Sequence, residues 1–235
     1  MVEKLSTGIS AIDRRLDGGF SPGSVVALVT PPAAQSHALI QQVMRERPSV
    51  YVTTVRSAAS IENDLAGQRW EEVPVSIQEV GEAVQEERRM LHELTGSKIH
   101  AAKTVERDHV LDEIYEVVQQ VEQSCTVVVD PVNPLERSPD RTDYQNLLSK
   151  VASRLLETDS LALLHCTLLE DPPDFRETTL TLADVVWELE VVSGRRDDLK
   201  LETRIPKNRG GPAVLERLTL LVDGDDVVTD DSRNI

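Results

Sequence analysis

The chain has 235 residues, 40% of them hydrophobic, enough for one sizeable α/β domain and too apolar for wholesale disorder. With 41 acidic against 25 basic residues the net charge is −16, which repels phosphate backbones and anionic lipids and argues against nucleic acid or a membrane as partner. Aromatics make up only 3%, so the core has to be built from Val, Leu, Ile and Ala, a composition suited to buried parallel strands covered by helices.

In chain order, "SVVALVT" (Ser24–Thr30) reads as a buried strand and "AQSHALIQQVMRE" (Ala34–Glu46) as the helix after it. "SVYVTTV" (Ser49–Val55) is a second strand, followed by a helix around Ile61–Trp70 and a short strand near "VPVSIQEV". A polar helical region is expected from about Gly81 to Leu94. "RDHVLDEIYEVVQQVEQ" (Arg107–Gln123) places Val110, Leu111, Ile114, Val117, Val118 and Val121 on one helical stripe. It runs into the strand "CTVVVD", which ends at Asp130. "YQNLLSKVASRLLET" and "LALLHCTLL" (Leu161–Leu169) repeat the helix–strand alternation. The last quarter reads instead as strands joined by turns at Ser193–Gly194 and Gly210–Pro212, an antiparallel ending on a mostly parallel sheet. No internal repeat or linker appears, so a single domain over 1–235 is expected. Cys125 and Cys166 lie in apolar runs and read as buried reduced thiols. The longest apolar runs fall well short of the ~20 residues a membrane-spanning helix needs, and no secretory leader is visible, so a soluble cytoplasmic protein is expected.

The N-terminal stretch "LSTGISAIDRRLDGGFSPGSVVALVT" (Leu5–Thr30) resembles the opening motif of the KaiC-like branch of the RecA superfamily. Ser6, Thr7, Gly8, Asp13, Gly18, Gly19 and Gly23 carry the likeness. "CTVVVD" stands where that family has its Walker B strand, "LADVVWELE" resembles its following core strand, and "IPKNRG" its "K.R" segment. The resemblance implies a RecA-like α/β fold, a mostly parallel central sheet flanked by helices, and frequent assembly into rings or filaments. A strand–loop–helix start with an aspartate ending a later strand predicts the same doubly wound architecture, with the site at the strand ends. The acid-rich, lysine-poor composition resembles the proteins of salt-loving archaea, whose surfaces stay soluble in concentrated salt; charge repulsion is screened there, which leaves a nucleic-acid partner open.

In that family the first strand leads into the phosphate loop G-x-x-x-x-G-K-[ST], whose glycines let backbone N–H groups close on the phosphates. The lysine neutralises their charge and the hydroxyl holds Mg²⁺. Here the loop is Pro31, Pro32, Ala33, Ala34, Gln35, Ser36, His37 and Ala38. Proline and serine replace the glycines, histidine the lysine, and alanine the magnesium-binding hydroxyl. The family's glutamate pair after the second strand is replaced by Val55 and Arg56, so no base remains to polarise a water. These losses argue against ATP hydrolysis. Gln35, Ser36 and His37 at a helix start read as a polar terminus or as a site for another anion.

Asp130 reads either as a remnant metal contact or as a cap on backbone N–H groups of the turn "DPVNP". The family resemblance implies that Lys207 and Arg209 reach a neighbouring subunit's phosphates in trans; the bland alternative is a pair of surface cations. His165 reads as a satisfied core residue, and His92, His100 and His109 show no metal-ligand spacing. The leading expectation is a non-hydrolysing regulatory or assembly protein acting on a KaiC-like paralogue or on itself, with no cofactor. A divergent protein binding ATP and Mg²⁺, and a recombination-mediator-like DNA accessory factor, are the alternatives.

Overall fold

The computed structural model describes residues 3–66, 73–81, 110–193, 199–223 and 226–229. The expected polar helix beyond Gly81, the turn at Gly194, and His92, His100 and His109 fall outside them. Among the described residues the strands form one nine-stranded sheet in the order β3-β2-β4-β5-β1-β6-β7-β8-β9. They are β1 (Val25–Thr30), β2 (Ser49–Thr53), β3 (Val75–Glu79), β4 (Thr126–Asp130), β5 (Leu161–Thr167), β6 (Val185–Ser193), β7 (Leu199–Asn208), β8 (Val214–Asp223) and β9 (Asp226–Thr229). Neighbouring strands from β3 to β6 pair in parallel, and β6 to β9 form an antiparallel extension. The α/β class, the mostly parallel sheet and the antiparallel C-terminal edge are as the sequence predicts.

The parallel centre follows from composition. All six residues of β1 are buried, because helices cover both sheet faces and no position is left for a polar side chain to reach water. One face carries α1 (Ser10–Arg15), α2 (Ser36–Met44) and α3 (Ala58–Ala66), packed on Val26, Leu28, Leu161, Leu163 and Trp187. The other carries α4 (Val110–Gln119), α5 (Arg141–Glu157) and α6 (Arg176–Leu182), packed on Val25, Ala27, Val127, Ala162 and Leu164. Asp140 starts α5 by accepting from the Thr142 and Asp143 amides at 2.6 and 3.1 Å. No helix among the described residues is long and apolar enough to cross a membrane.

Helices on one face follow β1 and β2 while those on the other follow β3, β4 and β5, so the winding of the crossovers switches direction between β1 and β5 and between β2 and β4. A crevice at the carboxyl ends of these strands is where a doubly wound sheet places its site.

Candidate functional site

The loop from β1 is closed upon itself. The Ala34 amide donates to the Pro31 carbonyl at 3.0 Å, and Pro31 and Pro32 have no N–H, so these three positions offer no donor to an anion. The α2 N-terminus has no side-chain cap, and the Ala38 amide turns back to the Gln35 carbonyl at 3.2 Å. Pro32, Ala33, Gln35 and His37 are exposed, Pro31, Ala34 and Ser36 are half-buried, and Ala38 is buried. His37 therefore faces solvent, and Ala38 brings no oxygen. A magnesium nucleotide, which the fold class implies, does not fit this donor set: the loop supplies no fixed cation and no metal-binding hydroxyl at the required positions.

The next crossing, after β2, is held by its own contacts. Val55 is exposed, Arg56 is paired with Asp64 at 2.7 Å, and the Thr53 hydroxyl pins the turn by donating to the Arg56 carbonyl and accepting from its amide. Neither Val55 nor Arg56 carries a group that takes a proton from water.

The crevice instead holds a chain of polar side chains that crosses four adjacent strands. Asp130, at the end of β4, accepts from the Tyr51 hydroxyl of β2 through Oδ2 and from His165 Nδ1 of β5 at 2.5 Å through Oδ1. His165 Nε2 lies 2.8 Å from the Thr30 hydroxyl, which ends β1. All four side chains lie on the sheet face that carries α2. Burial pushes the Asp130 pKa up, but the hydrogen bonds from His165 and Tyr51, the His165 interaction and the Arg56 charge outweigh it and hold the carboxyl below its ordinary range. Burial, followed by the Asp130 charge and hydrogen bond, pushes the Tyr51 phenol far above its ordinary value, so it remains a donor. With Asp130 ionised, its carboxylate can only accept, so His165 Nδ1 is the donor of that pair, while Nε2 shares a hydrogen bond with the Thr30 hydroxyl.

This arrangement corrects the alternative in which Asp130 caps the backbone of its turn. Side chains from two other strands take both of its oxygens. The turn is closed by the Val132 amide donating to the His165 carbonyl at 2.8 Å and by Asn133 pairing both ways with the Thr167 backbone. Among the described residues no group of three or more His, Cys, Asp and Glu is placed to hold a metal. His165 is satisfied, as the sequence suggests, but its partners could not be read there, since Thr30, Tyr51 and Asp130 become neighbours only through the strand order.

A folded-state pKa below the unfolded one means that Asp130 contributes stability above the ordinary carboxylate pKa and loses it as pH falls through the lower, folded value. The unfolding free energy is therefore expected to drop less steeply below about pH 4 in Asp130→Asn than in the unaltered chain, as checked by urea melts across that range. Equal slopes would show that Asp130 is not held ionised by its neighbours.

Lys207 and Arg209 stand apart from the loop. Asn208 pairs with Val185, and Val186 pairs with Ala27, so the two cations flank the start of β1 rather than its end. Lys207 Nζ donates to the Leu180 and Thr181 carbonyls at 2.7 and 2.9 Å, and Arg209 donates to Thr181 at 2.7 Å and to Leu182 at 3.3 Å. These are the last carbonyls of α6, where cations complement the helix dipole. Burial and then the Arg209 charge lower the Lys207 pKa. They are therefore neither idle surface cations nor free side chains: both cap α6.

The residues that carry the N-terminal resemblance form a brace. Asp13 accepts from the Ser6 hydroxyl at 2.8 Å, the Thr7 amide at 2.9 Å and the Thr7 hydroxyl at 2.7 Å. The turn so formed is tied to α2 by Gln42, which donates to the Gly8 carbonyl at 2.9 Å, and to the connection between α2 and β2 by Arg47, which donates to the Ser6 carbonyl.

The strand order, the helices on both faces and the crevice between β1 and β5 are those of a RecA-like α/β fold. A crystal structure of the KaiC-like protein PH0186 from the hyperthermophilic archaeon Pyrococcus horikoshii OT3 has a similar fold, with a TM-score of 0.70 and 18% identity over 98% of this chain and 100% of that one. Residues 4–235 match a family of unknown function, DUF7125, and the chain belongs to that family. No curated protein matches it.

Proposed function

We propose that this protein is a KaiC-like RecA-fold member that has left nucleotide hydrolysis and works as a regulatory or assembly partner through contacts with other proteins. The observation that carries the reading is the loop at residues 31–38: folded back on Pro31, with His37 turned to solvent and Ala38 without an oxygen, it is a degenerate Walker A loop. Val55 and Arg56 add the loss of the catalytic carboxylates. The partner is an intact KaiC-like paralogue or a second copy, and Arg209, about half exposed, is the cation best placed to meet it. The acidic balance and the few lysines fit the salt-rich cytoplasm of a halophilic archaeon.

Thermal unfolding with and without Mg-ATP, in low and in molar salt, tests the reading. A bound ligand at 100 times its Kd adds about 2.7 kcal/mol of stability, so the expected result is a melting temperature indifferent to millimolar Mg-ATP. A reproducible upward shift would favour a divergent nucleotide-binding protein instead.

A further inference from the structure

The loop is one reason a metal nucleotide does not fit this crevice, and the strands supply a second that owes nothing to the loop. Reading along the polar chain, the Tyr51 hydroxyl donates to Asp130, His165 Nδ1 donates to Asp130, and His165 Nε2 lies 2.8 Å from the Thr30 hydroxyl. Thr30 and His165 are buried, Tyr51 is 6% exposed, and the Asp130 side chain keeps 19% of its surface. Both carboxylate oxygens face donors fixed in neighbouring strands, and neither nitrogen of the imidazole lacks a partner. A largely buried network with a partner at every side chain is rigid, and a cation approaching Asp130 would have to share each carboxylate oxygen with an N–H or an O–H already aimed at it.

We infer that the Thr30–His165–Asp130–Tyr51 chain is an internal occupant of the crevice: His165 and Tyr51 hold Asp130 in the place a metal ion would otherwise claim, closing the site in the strands independently of the loop. The inference rests on the reading of a non-hydrolysing protein and deepens it. The register supports a built device. Leu28 of β1 lies opposite His165, Val128 of β4 lies opposite both Leu163 of β5 and Tyr51 of β2, and Thr30, Asp130, His165 and Tyr51 therefore fall on one face within a residue or two of the same level.

The test rebuilds the loop and asks whether that suffices. One variant of the full chain carries Pro31→Gly, Ser36→Gly, His37→Lys and Ala38→Thr; a second adds Tyr51→Phe, and a third adds Tyr51→Phe with His165→Ala. Binding of a fluorescent ATP analogue is titrated with and without Mg²⁺, and cooperative thermal unfolding confirms that each variant is folded. The first variant is expected to bind with little response to Mg²⁺. The third is expected to gain about tenfold or more in affinity when Mg²⁺ is present and nothing when it is absent, the gain expected if a charge-assisted contact to Asp130 becomes available. Tyr51→Phe, which changes volume least, is expected to give part of that gain. A full Mg²⁺ response in the loop-restored variant with the chain intact would overturn the inference alone, as would folded second and third variants with no Mg²⁺-dependent gain. Mg-ATP binding by the unaltered protein would overturn the proposed function as well.

Discussion

Arg176→Met is expected to destabilise the protein by about 3–5 kcal/mol, because it strands a buried carboxylate. Glu136 lies in the short turn of helix at Leu135–Arg137 and is fully buried. Arg176 Nε donates to its two oxygens at 2.8 and 2.9 Å, a terminal guanidinium nitrogen lies 2.8 Å from Oε2, and the Thr179 hydroxyl donates to Oε1 at 2.6 Å. Methionine keeps the packing volume but removes every charged donor, leaving a buried ion with one hydroxyl. Replacing both members, as Glu136→Leu with Arg176→Met, removes the ion along with its partner and is expected to recover most of the loss, since well-packed apolar pairs often match buried ion pairs. Urea unfolding of the two single variants and the double variant decides it; additive losses in the double variant would show that the pair is not coupled.

Gly19→Ala is expected to cost about 2–4 kcal/mol, combining backbone strain with a clash. Gly19 has φ of +121°, and a Cβ there would stand 2.2 Å from the Leu5 carbonyl oxygen and 2.7 Å from its carbon. That carbonyl accepts from the Phe20 amide at 2.9 Å while the Leu5 amide donates to the Phe20 carbonyl at 2.8 Å, so relief of the clash would break the bridge that fastens the N-terminal segment. Gly81→Ala is the control: its φ is also positive, at +100°, but among the described residues the nearest atom, the Thr54 carbonyl oxygen, is 3.9 Å away. Only the strain of about 1–2 kcal/mol is expected there. Similar losses at the two sites, read from urea melts, would mean that the Leu5 contact does not matter.

The buried strands could be read directly, because unbroken Val, Leu, Ile and Ala runs have few other places to go: β1, β4 and β5 lie within a residue or two of their expected bounds. The helix α6 could not. "RETTLTL" is rich in β-branched threonine and has little helical preference, and what holds it is remote in sequence: Glu136 beneath its first turn, Lys207 and Arg209 at its end. The run "AVLERLTLLVDGDDVVT" also hides two strands, β8 and β9, which pair antiparallel with Leu221 opposite Val228. At the site, the side chains of residues 31–38 were legible as such, since they are a matter of which residues stand at eight consecutive positions. The polar chain was half legible. Asp130 stood out as a carboxylate closing an apolar strand, whereas its partners depend on a sheet order that places β4 between β2 and β5.

The engagement of Lys207 and Arg209 by α6 sets a mechanical condition on any reach across a subunit boundary. Each cation that swings outward leaves terminal carbonyls of a seven-residue helix without their donors. Outward reach and the integrity of α6 therefore oppose one another, and a partner that drew these side chains away would be felt at Glu136 and Arg176, on the far side of the same helix, as fraying.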